Sequence, residues 1–247
     1  MKLIKKYIKK YIKKDSNLYL FYIWLRDRWL AVNWLLKGRP ISPPHFIKQR
    51  VVQTYARTYS LATLIETGTY LGDMVFAMRT HFKRIISIEI DNDLYSLSSA
   101  RFHSRFYEHV RMIHGDSSVV LPELISELQE PCLFWLDGHF SGEGTSCGQT
   151  KTPILDELYT ILTHPFSHVI LIDDAHEFSG EGDYPSLDNL FAVVTRLFPT
   201  RKMTVIDNII RILPRRDSTY SLGGKSVTPV LEVEKIHRDH WLRGFLR

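Results

Sequence analysis

The chain has 247 residues, 44% of them hydrophobic, which is enough to fill the core of a sizeable α/β domain and excludes a disordered or fibrous protein. Its net charge of +5 has the look of a nucleic-acid platform until it is located: seven lysines and no acid fall within residues 1–14, and setting them aside leaves 25 basic against 27 acidic residues. The body of the protein is slightly acidic, so no nucleic-acid partner is expected.

The two cysteines, Cys132 and Cys147, cannot build a disulfide framework, and a reducing, cytoplasmic setting is expected. Arg26, Asp27 and Arg28 interrupt the best apolar run well short of the roughly 18 residues that a membrane span needs. No small-residue cleavage site follows the basic start, so the segment reads as retained.

In chain order, residues 2–14 place Leu3, Ile4, Tyr7, Ile8, Tyr11 and Ile12 on one helical face and lysines on the other. Residues 18–37 continue with Tyr22, Trp24, Trp29 and Trp34 among leucines, and the stretch from Gly38-Arg39-Pro40 to Pro43-Pro44 ends any helix. Residues 1–44 therefore form an N-terminal helical extension. Two uses of it stay open. Residues 1–37 can lie on an anionic membrane surface, at its inner face, or they can pack on the main domain or on a partner subunit of a homo-oligomer.

A helix is expected over 45–60, and from there strand-like runs recur at 62–66, 84–90, 109–114, 132–137 and 168–173, with helical patterns at 73–82, 92–104, 117–129 and 153–163 between them. Strands alternating with helices predict a doubly wound, mostly parallel sheet. After a helix at 186–198, runs at 203–206 and 209–213 flank Asp207-Asn208 and predict a hairpin, for seven strands in all. Residues 45–214 make the main domain, and 215–247 are a basic tail.

Ligands of such sheets bind beyond the carboxyl ends of the strands, and three successive strand ends here are acidic. The first reads Glu66-Thr67-Gly68-Thr69-Tyr70-Leu71-Gly72-Asp73, with glycines spaced for a tight turn. The second ends in Glu89-Ile90-Asp91, where a carboxylate can accept both hydroxyls of a ribose; the third ends in Gly115-Asp116-Ser117, where one can accept from an adenine amine. Acids at all three ends suit a cationic, adenosine-containing cofactor.

These residues resemble the ordered motifs of class I S-adenosylmethionine-dependent methyltransferases, over residues 46–214. The resemblance implies a Rossmann-like methyltransferase fold with S-adenosyl-L-methionine as cofactor. By position, Glu66, Thr67, Gly68, Tyr70 and Gly72 would form the loop against its methionine part and ribose, Glu89 would hold the ribose hydroxyls, and Asp116 with Ser117 would meet the adenine. Many family members have glycine where Tyr70 stands, so the loop is the looser acid-x-Gly-x-x-x-Gly form.

The fourth strand ends at Asp137 and the fifth at Asp173-Asp174. In the usual order those strands are neighbours about 4.8 Å apart, and three gathered carboxylates call for a cation among them, for which Mg2+ or Mn2+ is suited. This part is similar to metal-dependent small-molecule O-methyltransferases, including the macrocin and sugar O-methyltransferase branch. That similarity makes Asp137, Asp173 and Asp174 the metal ligands. It places His139 where the sugar-modifying branch keeps an acidic general base, while in metal-free relatives Asp137 faces the methionine end of the cofactor. Catechol-type relatives carry a lysine where this chain has Phe140. The glycine-rich segment 138–152 reads as an acceptor lid, and the expected acceptor is a hydroxyl of a small molecule, sugar or glycan. Two rivals remain: a nicotinamide-dependent oxidoreductase, which would want Gly-x-Gly-x-x-Gly in place of the Tyr70-bearing loop, and a non-catalytic scaffold on the same fold.

Overall fold

A computed structural model describes residues 17–138 and 152–215. The chain divides into two compact units, Met1–Leu213 and Pro214–Arg247, and all but the first residues of the second lie outside the described part. A long helix, Asn17–Leu36 (α1), precedes His45–Thr58 (α2). Strand and helix then alternate: Thr63–Thr67 (β1), Asp73–Met78 (α3), Arg84–Glu89 (β2), Asn92–Arg101 (α4), Val110–His114 (β3), Ser117–Ser126 (α5), Leu133–Leu136 (β4), Ile154–Thr163 (α6) and Val169–Ile172 (β5). Leu187–Leu197 (α7), Arg201–Ile206 (β6) and Ile209–Pro214 (β7) follow, and 3-10 turns lie at Arg105–Tyr107 and Ala175–Glu177.

The seven strands form one sheet in the order β3-β2-β1-β4-β5-β7-β6. The pairs β3·β2, β2·β1, β1·β4 and β4·β5 are parallel, whereas β7 lies antiparallel on β5. Asp207 and Asn208 join β6 to β7 with φ of 51° and 61°, the left-handed pair that a two-residue type I′ hairpin requires. The returning strand β7 inserts beside β5 and leaves β6 at the edge. Strand order reverses between β1 and β4, the kind of switch point at which open α/β sheets bind their ligands.

Every residue of β1, β4 and β5 is buried, as expected of parallel strands covered on both faces. Ile65, Ile88, Phe134, Leu136 and Ile172 pack with Leu121 and Ile125 of α5, Leu158 and Ile161 of α6 and Val194 of α7. Successive strand residues point to opposite faces, so Leu64, Trp135 and Leu171 form the other layer. There α2 lies against β4 and buries Ile47, Val51, Val52 and Tyr55. Glu66, Ser87 and Glu89 share the parity of that second layer.

The expected elements are present with shifted ends. The helix after the glycine loop stops at Met78, and β4 and β5 each end one residue before their aspartates. The backbones of Asp137 and Asp173 remain tethered, donating to the Thr67 and Leu136 carbonyls at 3.0 Å each. In α1, Ala31 and Trp34 are buried, and the Trp34 indole donates to the Pro40 carbonyl at 2.8 Å. Among the described residues no helix is long and apolar enough to cross a membrane.

Candidate functional site

Glu66, one residue before the end of β1, lies inside the protein, and its neighbour in register, Ser87, donates its hydroxyl to it. Burial pushes the Glu66 pKa from the ordinary 4.5 up to about 8, opposed by the Ser87 hydroxyl and reinforced by the charges of Asp137, Glu89 and Asp73. Thr69 shares a 2.6 Å hydrogen bond with the same Ser87 oxygen, so the start of the loop is pinned to β2.

Gly68 adopts φ +83°, and a Cβ there would stand 2.3 Å from the Asp137 carbonyl oxygen. The glycine lets the β1 and β4 ends touch, which is a demand of the chain's own packing before any ligand arrives. Gly72 likewise caps α3 in the left-handed region, where a Cβ would meet the Phe102 ring at 2.7 Å. Between them Tyr70 also takes a left-handed φ of 49°, leaving its side chain 56% exposed and its N–H directed at Glu89.

Glu89 is the hub of this edge. Its Oε2 accepts from the Tyr70 N–H at 2.7 Å and its Oε1 from the Asp91 N–H at 2.9 Å. A carboxylate offers about four lone-pair sites, so capacity for a diol is left over. Asp116 is in part a helix cap: its Oδ1 accepts from the Ser118 N–H at 2.9 Å and the Ser118 hydroxyl at 2.7 Å at the start of α5, next to the buried Ser117. Its second oxygen could meet an exocyclic amine. Thr67 is buried, and its hydroxyl has no hydrogen-bond partner among the described residues. Asp73, on the sequence a further negative charge at this loop, is neutralised by Arg101 at 2.7 Å.

The acidic rim on the other side of the switch point also assembles. One oxygen from each of Asp137, Asp173 and Asp174 lies within 4.8 Å of the others. Asp174 takes a left-handed φ of 48°, the bend that lets two consecutive aspartates face one place. Asn208, from the hairpin turn, donates to Asp174 at 3.1 Å.

Lys48 is the residue that sequence reading missed. It reaches from α2 to donate to the fully buried Asp173 carboxylate and lies 3.8 Å from Asp174. Burial works against its charge, but Asp173, Asp137 and Asp174 outweigh it and hold the ammonium above the ordinary lysine pKa. A signal was there: Lys48 sits between Ile47 and Val51 on the apolar stripe of α2, where a lysine needs a partner. Tyr184 was missed too. It lines a small cleft with Leu136, Gly138, Thr152 and Glu157, and burial pushes its phenol up to about 12. His139, the expected base, and most of the expected lid lie outside the described residues.

No family model matches the chain, and no curated protein matches it either. Solved structures do. The SAH-bound methyltransferase PaMTH1 of Podospora anserina is 16% identical with a TM-score of 0.51, covering 87% of this chain and 95% of that one. An O-methyltransferase from Bacillus cereus in complex with SAH is 15% identical with a TM-score of 0.51, covering 85% and 97%. The O-methyltransferase TomG of Streptomyces achromogenes, in complex with SAM, is 14% identical with a TM-score of 0.50, covering 85% and 95%. At these identities the likeness is one of fold: the chain has the seven-stranded, mostly parallel, Rossmann-like fold of the class I methyltransferases.

Proposed function

We propose that the protein is an S-adenosylmethionine-dependent methyltransferase that acts on a hydroxyl of a small-molecule, sugar or glycan acceptor. The observation that carries this reading is the continuous acidic edge at the switch point, where Ser87 ties Glu66 to β2 and Glu89 holds the loop after β1. The choice of oxygen and of acceptor class rests on the sequence resemblance and on the O-methyltransferases among the structural neighbours.

Bound at this edge, the cofactor supplies a methyl group on a sulfonium. Glu89 accepts the ribose hydroxyls, Asp116 the adenine amine, and Glu66 faces the methionine ammonium with Thr67, Gly68, Tyr70, Gly72 and Ser117 shaping the walls. Asp137 stands between the methionine end and the acceptor. The cofactor would supply the methyl electrophile to the acceptor oxygen and leave with the electron pair on its sulfur, and the hydroxyl proton would pass to a base, for which His139 is our candidate. Catalytic Mg2+ or Mn2+ would be held by Asp137, Asp173 and Asp174. These donors are right in kind, but Lys48 already bonds to one and approaches another, so the arrangement does not fit a divalent ion and no step is routed through one.

A dinucleotide-dependent oxidoreductase fits less well. Its sheet would run 3-2-1-4-5-6, whereas here an antiparallel β7 is inserted beside β5, and the buried Glu66 and Glu89 disfavour phosphates. The test is transfer of labelled methyl from S-adenosylmethionine to a panel of sugars and small alcohols. Labelled product supports the reading; cofactor binding without product from any acceptor favours the scaffold.

Glu66 gives a pH signature. Its folded-state pKa of about 8 lies above the ordinary 4.5, so its contribution to stability is full at low pH and is lost as pH rises between those values. A ligand ammonium favours the ionised form, so cofactor binding should release a proton and tighten as pH climbs toward 8. Calorimetry in buffers of different ionisation enthalpy reads that proton, and Glu66→Gln should abolish the dependence. A parent protein with the same flat profile would contradict the role.

For the extension we propose peripheral attachment to an anionic membrane at the inner face. Phe21, Trp24, Leu25, Trp29, Val32 and Leu36 are exposed at helical spacing on one stripe of α1, and seven lysines precede it in sequence. The protein should co-sediment with anionic vesicles at low salt and be released by high salt. A homo-oligomer that buries the stripe, seen as a multiple of the chain mass and no sedimentation, would contradict this.

A further inference from the structure

We propose that Lys48 is the built-in counter-cation of the Asp137, Asp173 and Asp174 cluster, its ammonium taking the position a divalent ion would fill, so that this rim works without a metal. Three carboxylates whose oxygens converge within 4.8 Å repel one another unless a cation or a proton stands among them, and the structure shows Lys48 there. Lys48 donates to Asp173 Oδ2, while Asp173 Oδ1 accepts from the Asp174 N–H at 2.8 Å, so both oxygens of the buried carboxylate are engaged from within the chain. Asp174 Oδ1 lies 3.8 Å from the ammonium and accepts from Asn208. A magnesium ion bound to the same oxygens would need six ligands at about 2.0–2.1 Å and would crowd the ammonium, two cations sharing one carboxylate.

The lysine cannot easily step aside. Its neighbours Ile47 and Val51 are fully buried against the sheet, and its own side chain is only 16% exposed. The ammonium is thus fixed by the packing of α2, on the face toward which β4 and β5 direct Asp137 and Asp173. The consequence for catalysis rests on the methyl-transfer reading; the ion-binding claim does not.

The test is a titration of the full-length protein with Mn2+, followed by the paramagnetic resonance of the free ion, for the wild type, Lys48→Arg and Lys48→Met. The wild type and Lys48→Arg should leave the signal undiminished where Lys48→Met takes up about one ion per chain. Uptake by the wild type that Asp173→Asn abolishes would overturn the proposal, as would a folded Lys48→Met that takes up none. Where Lys48→Met is too unstable to titrate, its melting temperature decides: Mg2+ should restore a loss of roughly 5–10 °C, and no recovery overturns the proposal. Titrating the same samples with S-adenosylhomocysteine keeps the two readings apart, since cofactor binding absent from all three would be a failure of the methyltransferase reading alone.

Discussion

Replacing Gly68 by alanine is expected to lower the stability of the folded protein by about 2–5 kcal/mol, the sum of a left-handed backbone that disfavours a side chain and a forced separation of two strand ends. The new methyl would lie 2.3 Å from the Asp137 carbonyl oxygen and 2.9 Å from the Gly138 Cα, both backbone atoms with no rotamer to yield. Gly182 is the control, with φ +62° and nothing within 4 Å of a built Cβ. Alanine there should cost about 1 kcal/mol from the backbone alone. Urea unfolding of both variants checks the pair; a Gly68→Ala protein as stable as Gly182→Ala would mean that the β1 and β4 ends are not in contact. The comparison also bears on function. A Gly68 variant that binds no cofactor has reported on the scaffold, and residues open to a substitution of unchanged shape must carry the test of the site.

Glu89 is such a residue. Glu89→Gln keeps its shape but replaces one acceptor oxygen by an amide NH2, so one of the Tyr70 and Asp91 N–H groups faces a donor and the diol loses a charged acceptor. Hydrogen bonds to charged groups are worth about 1.5–3 kcal/mol, so S-adenosylhomocysteine should bind about 10- to 100-fold more weakly. Titration calorimetry measures this directly. An unchanged affinity would leave Glu89 as a brace for the loop after β1 and remove it from the ribose.

Much of this was legible in the sequence. The strands announced themselves because parallel strands covered on both sides are continuous apolar runs, and the acids at their ends stood out against those runs. Asp207-Asn208 gave away the hairpin because few other residue pairs tolerate two left-handed positions. Roles were harder than places. Asp116 stands just beyond a strand and also caps the helix that follows, and its cap bonds use one carboxylate oxygen. Asp73 finds its partner in Arg101, 28 residues on. Lys48 and Asp173 are 125 residues apart, joined only when α2 settles across β4, and no local spacing encodes that. The apolar run beginning at Asp73 extends beyond the helix because Thr80 and His81 turn the chain toward β2, where the His81 N–H bonds the Met78 carbonyl.

In the methyltransferase reading, the edge formed by Glu66, Glu89 and Asp116 holds S-adenosylmethionine. Calorimetric titration of the purified chain with that cofactor and with its demethylated product tests it most directly. Saturable heat is expected with both and, for the parent, binding that tightens from pH 6 to about 8 as Glu66 gives up its proton. No heat and no thermal shift with either compound, across that range, would contradict it.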